Sequence, residues 1–551
     1  MRADRPRLRL RTAALLVLAA ATAASAGCDR DRVAGESAEP AGGEPRRGGQ
    51  VVIGFSSDIA GVNQLIHATN RPTESVLRQV YLQLVRENAD FESGPPTFRP
   101  DLAERWEWSD DHETVTFHLR DDAGWSDGRP VTAADVRFSW QAQIHPDVAW
   151  DTAYYKESIT DVEVVDPYTV RFHFSRVYPS QLLELNEGYI LPAHVFGEIP
   201  FEQWRTHGQW FREHAVYAGP FVIESWTPQQ EIVLARNERY YDPELPRLDR
   251  AIFRVIPDAS SRVTQLLSGG TDFTDSLSPE DATRVERDPR LEVKDFWGPA
   301  YMYIGWNLRR EPFDDARVRL ALTLGIDRQT LVDNVWGSFG RVSHSPVLQN
   351  VWIHADDIEP HPYDPERAKR LLAERGWIDR DGDGVLDKDG QRLSFELMTN
   401  ADNRQRVDAT VLIQSHLARI GVEAVPRLVE FQTLLTRMEE SDFDAVLAAW
   451  TLPTGLDFKY AFHTDEIGDG SNYIGYSNPE VDRLLDEIRA QPELTDAEPL
   501  LLELQRALHR ELPYTFLWES KRAVGINRRV HDVEPNVLYV HYNLYDWWIE
   551  Q

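Results

Sequence analysis

Residues 253–273 read FRVIPDASSRVTQLLSGGTDF, and the hydrophobic pattern changes period twice within them. Ala251 to Ile256 is an apolar run of strand length, and Ser260 to Leu267 has the make-up of a short helix. Gly269-Gly270 ends that helix, because glycine accepts the left-handed backbone that closes a helical turn. Phe273 then opens another short strand, so the segment predicts a β-α-β unit. The same alternation extends in both directions. It begins at Gln50, where Val51-Val52-Ile53-Gly54-Phe55 is a buried-strand signal, and it gives an α/β architecture without internal repeats.

Start and stop signals recur along the chain. In residues 102–141, LAERWEWSDDHETVTFHLRDDAGWSDGRPVTAADVRFSWQ, the residues Val115, Phe117 and Leu119 alternate with polar neighbours as in a half-buried strand. Ser126-Asp127-Gly128 makes a turn, and Thr132 with Asp135 forms a capping box that starts a helix. Asp364 before Pro365 opens a second helix, closed by Gly376. Asn478 before Pro479 opens a third, whose Val481, Leu484, Leu485 and Ile488 form one apolar face.

A chain of 551 residues exceeds what one core usually serves, so two or more lobes are expected. Hydrophobic residues at 42% and 17 tryptophans argue for a folded body. The net charge of −31 speaks against nucleic acid, whose phosphates are bound mainly through Lys and Arg. Arg2, Arg5, Arg7, Arg9 and Arg11 precede the apolar stretch Ala13 to Ala26, the layout of an export signal too short to span a membrane. Cys28, the sole cysteine, follows Ser25-Ala26-Gly27 and so excludes an internal disulfide. Its setting resembles the bacterial lipobox, in which the thiol becomes lipidated. Ser25 stands where that motif prefers Leu, which leaves cleavage one residue earlier as the alternative. Residues 28–49, poor in large apolar side chains, read as a flexible tether.

The string 102–141 resembles the signature of the family 5 extracellular solute-binding proteins, the peptide and nickel class of ABC-importer receptors. Further segments resemble the family in its order: 219–242, 253–273, 303–332, 363–377, 472–488 and 512–536. The resemblance implies a two-lobed, periplasmic-binding-protein-like α/β fold with an additional domain inserted in the first lobe. The first lobe is expected at 50–84, 193–300 and 521–551, the inserted domain at 85–192 and the second lobe at 301–520. Tyr301 to Leu308 and Ala523 to Ile526 are the expected crossings between lobes. The implied function is an exported, lipid-anchored receptor that delivers a short peptide to an ABC permease with its ATPase subunits. It would be monomeric, without cofactor or catalytic residues, and attached to the membrane only through Cys28. A receptor of the same fold for an oligosaccharide or other non-peptide ligand is the alternative, and an anchored hydrolase the rival from another class. No nucleophile elbow, HExxH or P-loop motif supports the hydrolase.

The family likeness also marks ligand-binding candidates. Trp450 occupies the place of a cleft tryptophan. In the peptide binders an aspartate three residues later pairs with the ligand's α-amino group, but here that residue is Pro453, which carries neither charge nor N–H. Asp457 is the possible substitute. Tyr301, Trp306 and Asn307 lie on an expected crossing, with alternation turning only one of the last two toward the cleft. Tyr473 and Tyr476 are the weaker candidates, with core packing as the competing role. Asp379, Asp381, Asp383 and Asp387 resemble a calcium loop, but Gly390 stands where an EF-hand has its closing Glu, so a solvated hairpin competes. The 16 histidines lack the tight spacing of a nickel site.

Overall fold

The structure is a computed structural model describing residues 44–67, 70–468 and 470–550; Cys28 and the basic segment before it lie outside them. Its main feature is an eleven-stranded mixed sheet. Along the sheet the order is Glu423–Val429, Ser394–Asn400, Ala445–Thr451, Leu291–Trp306, Tyr514–Asn527, Phe273–Thr274, Gln50–Phe55, Arg250–Val255, Glu231–Arg236 and Phe221–Thr227. The eleventh strand, Gly340–Val342, pairs with Tyr514–Asn527 off this path.

The β-α-β unit forms as its pattern predicts. Gln50–Phe55 lies parallel between Arg250–Val255 and Phe273–Thr274, and the crossover helix runs Ala259–Ser268. Asp258 starts that helix by accepting the Ser261 N–H at 2.7 Å, and Gly269 ends it at φ 79°. The capping box is present, with the Thr132 N–H donating to Asp135 Oδ2 at 2.9 Å. The helices opened by Asp364 and Asn478 span Pro365–Glu374 and Pro479–Arg489.

Two long strands join the halves of the sheet. Leu291–Trp306 and Tyr514–Asn527 run antiparallel, with Leu291 opposite Asn527 and Gly305 opposite Tyr514. One end of this ribbon pairs with Phe273–Thr274, and the other with Ala445–Thr451. Regular pairing lapses between Trp297 and Tyr301, where Pro299 has no N–H to give the ladder. Both strands extend beyond the apolar runs expected at Tyr301 to Leu308 and Ala523 to Ile526. Glu292, Lys294 and Asp295 belong to the ribbon because backbone hydrogen bonds, rather than side-chain burial, sustain a half-exposed strand.

Packing differs between the halves. Tyr301 and Tyr303 point into one core with Phe516, while Ile304 and Trp306 enter another with Leu517 and Trp518. Both faces of this half are therefore buried, which explains its almost continuous apolar strands. In the other half, Val51, Ile53 and Phe55 share a core with a separate antiparallel sheet of four strands. Those strands, Ala103–Trp108, Thr114–Leu119, Thr169–Phe174 and Ile159–Asp166, all fall between residues 85 and 192. The chain also enters and leaves on this half: the Gly49 N–H donates to Asp249 Oδ2, and Trp548–Ile549 pairs with Val530–His531.

Candidate functional site

A crevice with two compartments, of about 320 and about 720 Å³, opens over the ribbon where its pairing lapses. Arg71, Ser276, Thr451 and Arg522 border both compartments, so the two are contiguous. Arg71 and Ser276 come from one half of the sheet, Thr451 from the other, and Arg522 from the ribbon itself. These volumes are within the range of small-molecule sites.

The larger compartment has an aromatic wall. Trp450 lies near-parallel to Tyr473, with ring centroids 6.0 Å apart, and to Tyr303 at 6.4 Å. Tyr303 in turn stacks on Tyr514 at 4.0 Å, and Trp450 Nε1–H donates to the Tyr514 hydroxyl at 3.1 Å. That bond fixes the indole plane, and the three rings together give the compartment a broad apolar wall.

The smaller compartment is polar and electrically uneven. Arg71 and Arg522 act on one another and on Asp275, and Glu74, Glu87 and Glu187 line the same compartment. Burial pushes Arg522 down to about 9, helped by nearby Arg71 and opposed by Asp275. Burial also pushes the Glu87 carboxyl up to about 7, and the Glu87 Oε1 atom is sealed from solvent without a hydrogen-bond partner. Glu187 is pushed up by burial and by Glu74, against the pull of Lys156 and Arg78. The loop carrying Glu187 is held from beneath: the Lys156 ammonium donates to the carbonyls of Glu184, Leu185 and Glu187 at 2.6–2.8 Å. Tyr539 donates to Glu74 Oε1 at 2.8 Å and lies under the Arg78 guanidinium at 3.5 Å.

The sequence-predicted residues divide into two groups. Trp450 and Tyr473 meet in the aromatic wall. Tyr301 is fully buried against Phe516, and Trp306 is enclosed with Phe313 and Phe395 while its indole N–H donates to Thr515. The Asn307 amide is a bracket, donating to the carbonyls of Ser441 and Phe443. Asp457 accepts the Lys459 N–H at 2.9 Å and pairs with Arg489 at 3.3 Å, outside the walls of both compartments. Tyr476 is buried core. Sequence reasoning missed Tyr303, Arg71, Glu87, Asp275 and Arg522. For Arg522 a signal existed, since the polar run Glu519-Ser520-Lys521-Arg522 separates two apolar stretches of its strand.

Asp379, Asp381 and Asp383 bring one carboxylate oxygen each within 4.8 Å of the others, all exposed. Their oxygens already accept loop N–H groups, Asp379 those of Gly382 and Gly384 and Asp383 that of Val385. Asp387 is paired with Arg380 instead. Among the described residues, no helix is long and apolar enough to cross a membrane.

Residues 97–466 match the family described as bacterial extracellular solute-binding proteins, family 5 Middle. The oligopeptide-binding protein AppA of Bacillus subtilis (strain 168) is 29% identical over 530 residues, covering 95% of each chain. Heme-binding protein A of Haemophilus influenzae is 27% identical over 547 residues, covering 94% of this chain and 95% of its own. The solved structure of B. subtilis AppA in complex with a nonapeptide superposes with a TM-score of 0.77 at 28% identity, covering 92% of this chain and 100% of that one.

Proposed function

The chain belongs to the bacterial extracellular solute-binding proteins, family 5, and from that membership we propose that it captures short peptides outside the cytoplasm and delivers them to an ABC permease. The observation that carries this reading is the crevice over the ribbon, walled by Trp450 and Tyr473 and bordered by both halves of the sheet. Two strands are a narrow join, and hinge closure about them would bury a ligand from both sides. Trp450 and Tyr473 are the proposed contacts, offering broad apolar faces to side chains of many kinds. Resemblance to an oligopeptide-binding protein along nearly the whole chain supports peptide as the ligand class. The protein acts as a receptor and leaves its ligand's bonds intact.

Within this reading, residues 85–192 form the added domain on the first lobe, and residues 28–49 form a tether lipidated at Cys28. Cys28→Ser should then move the protein from the membrane fraction to the soluble fraction while leaving ligand binding unchanged; continued membrane retention would refute the anchor.

The functional test is native mass spectrometry of the purified protein before and after incubation with a mixed-sequence library of tri- to nonapeptides. Bound peptide masses, together with a change in tryptophan fluorescence, are expected. Multiple-turnover release of a cleaved product would remove the receptor reading.

A further inference from the structure

Several buried arginines of this protein donate to protein acceptors. Arg319 donates to the carbonyls of Phe313, Glu511 and Leu512, and Arg328 to those of Ser343, Phe516 and His361. Arg86 pairs with Asp101 at 3.1 Å. Arg522 differs. Among the described residues its guanidinium donates to no protein acceptor and has no carboxylate within salt-bridge distance, although it borders both compartments of the crevice. The backbone makes room for it: a Cβ at Gly298 would sit 3.4 Å from Arg522 Cγ and Nε and 3.1 Å from the Ser520 carbonyl.

We infer that Arg522, backed by Arg71, is the subsite that receives a carboxylate of the bound ligand, lodging the ligand's anionic end against the ribbon. This rests on the receptor reading above and adds to it the orientation and charge of the cargo.

The charges facing Arg522 support the assignment. Two cations, Arg71 and Arg522, face one carboxylate, Asp275, whose Oδ1 is itself without a hydrogen-bond partner. A half-buried guanidinium on a crevice wall is open to an incoming anion, and its planar fork matches a carboxylate in two parallel hydrogen bonds. Burial lowers its proton affinity only to about 9, so it is cationic at neutral pH. Glu74, Glu87 and Glu187 line the same compartment and favour a cationic group near them. The crevice therefore carries groups of both signs, with its anion-accepting group on the ribbon.

A carboxylate can come from a peptide C-terminus or from an Asp or Glu side chain, and one experiment separates the two. The full-length protein is titrated with a library of tri- to nonapeptides as free acids and with the same library amidated at the C-terminus; bound species are read by native mass spectrometry and affinities by calorimetry. Recognition of the terminal carboxylate predicts that amidation weakens binding roughly 10- to 100-fold, the value of one to two charge-assisted hydrogen bonds. Recognition of a side-chain carboxylate predicts that the amidated peptides still bound are enriched in Asp and Glu. Arg522→Gln should erase either preference, and Arg522→Lys, which keeps the charge, should retain part of it. Equal binding of both libraries without acidic enrichment would overturn the subsite and leave the receptor reading intact. An undiminished preference in Arg522→Gln would do the same. If neither library binds, the peptide reading fails and the subsite falls with it.

Discussion

Methionine at position 156 would occupy nearly the space of Lys156 and leave three buried carbonyls, those of Glu184, Leu185 and Glu187, without their donor. Lys156→Met should cost about 2–4 kcal/mol in a urea unfolding measurement, since each stranded carbonyl bears its own desolvation penalty. His541 raises a different issue. It is fully buried among Phe55, Phe253, Phe273 and Trp547, and burial lowers it from 6.5 to about 3. Below pH 6.5 the unfolded chain binds a proton that the folded protein refuses until about pH 3. The stability gained by keeping the ring neutral is therefore complete above pH 6.5 and falls by about 1.4 kcal/mol per pH unit below it. His541→Phe should accordingly lose about 2 kcal/mol less than the parent between pH 7 and pH 5. Residues of this kind are hard to read from sequence. Trp450 and Tyr473 were legible because they sit in recognisable runs. Lys156 and Arg522 take their meaning from groups contributed by other elements, which no local pattern reveals.

Elements announced themselves where the signal was local. Thr132 with Asp135, Asp364 before Pro365 and Asn478 before Pro479 each mark a helix start, because a cap acts within one turn of the chain that carries it. Sheet order gave no such notice. Gln50 pairs with Arg250 and Leu291 with Asn527, contacts across hundreds of residues that leave no periodicity behind. Strand parity was equally hidden. Trp306 and Asn307 lie on the long strand Leu291–Trp306 and just beyond it, yet the crevice is lined by Ala300, Met302 and Tyr303 earlier in the strand, since core packs on both faces at Trp306. The lapse in pairing at Gly298 makes a prediction at this scale. Gly298→Val would force a side chain against the Ser520 carbonyl and the Arg522 stem. It should destabilise the protein by about 1–3 kcal/mol in a thermal or denaturant melt, and the same melt of Gly298→Ala should show a smaller loss.

For the molecule as a whole, a ligand that binds only the folded form should raise its unfolding free energy by about 2.7 kcal/mol at one hundred times the dissociation constant. Small-angle scattering should record a smaller radius of gyration at that saturation if the halves close about the ribbon. Unchanged scattering with proven ligand would show that capture proceeds without closure. The α/β class, the acidic surface and the multi-lobed body were all legible from pattern, charge and length. The shape of the crevice was not, because it is assembled from segments as distant as Arg71 and Arg522.

Residues 49 and 549 share one half of the molecule. Any tension applied near either of them is carried by that half and never travels through the two-strand join. If the proposed tether at Cys28 holds the protein to a membrane, its pull enters this half and leaves the grip of the crevice unloaded.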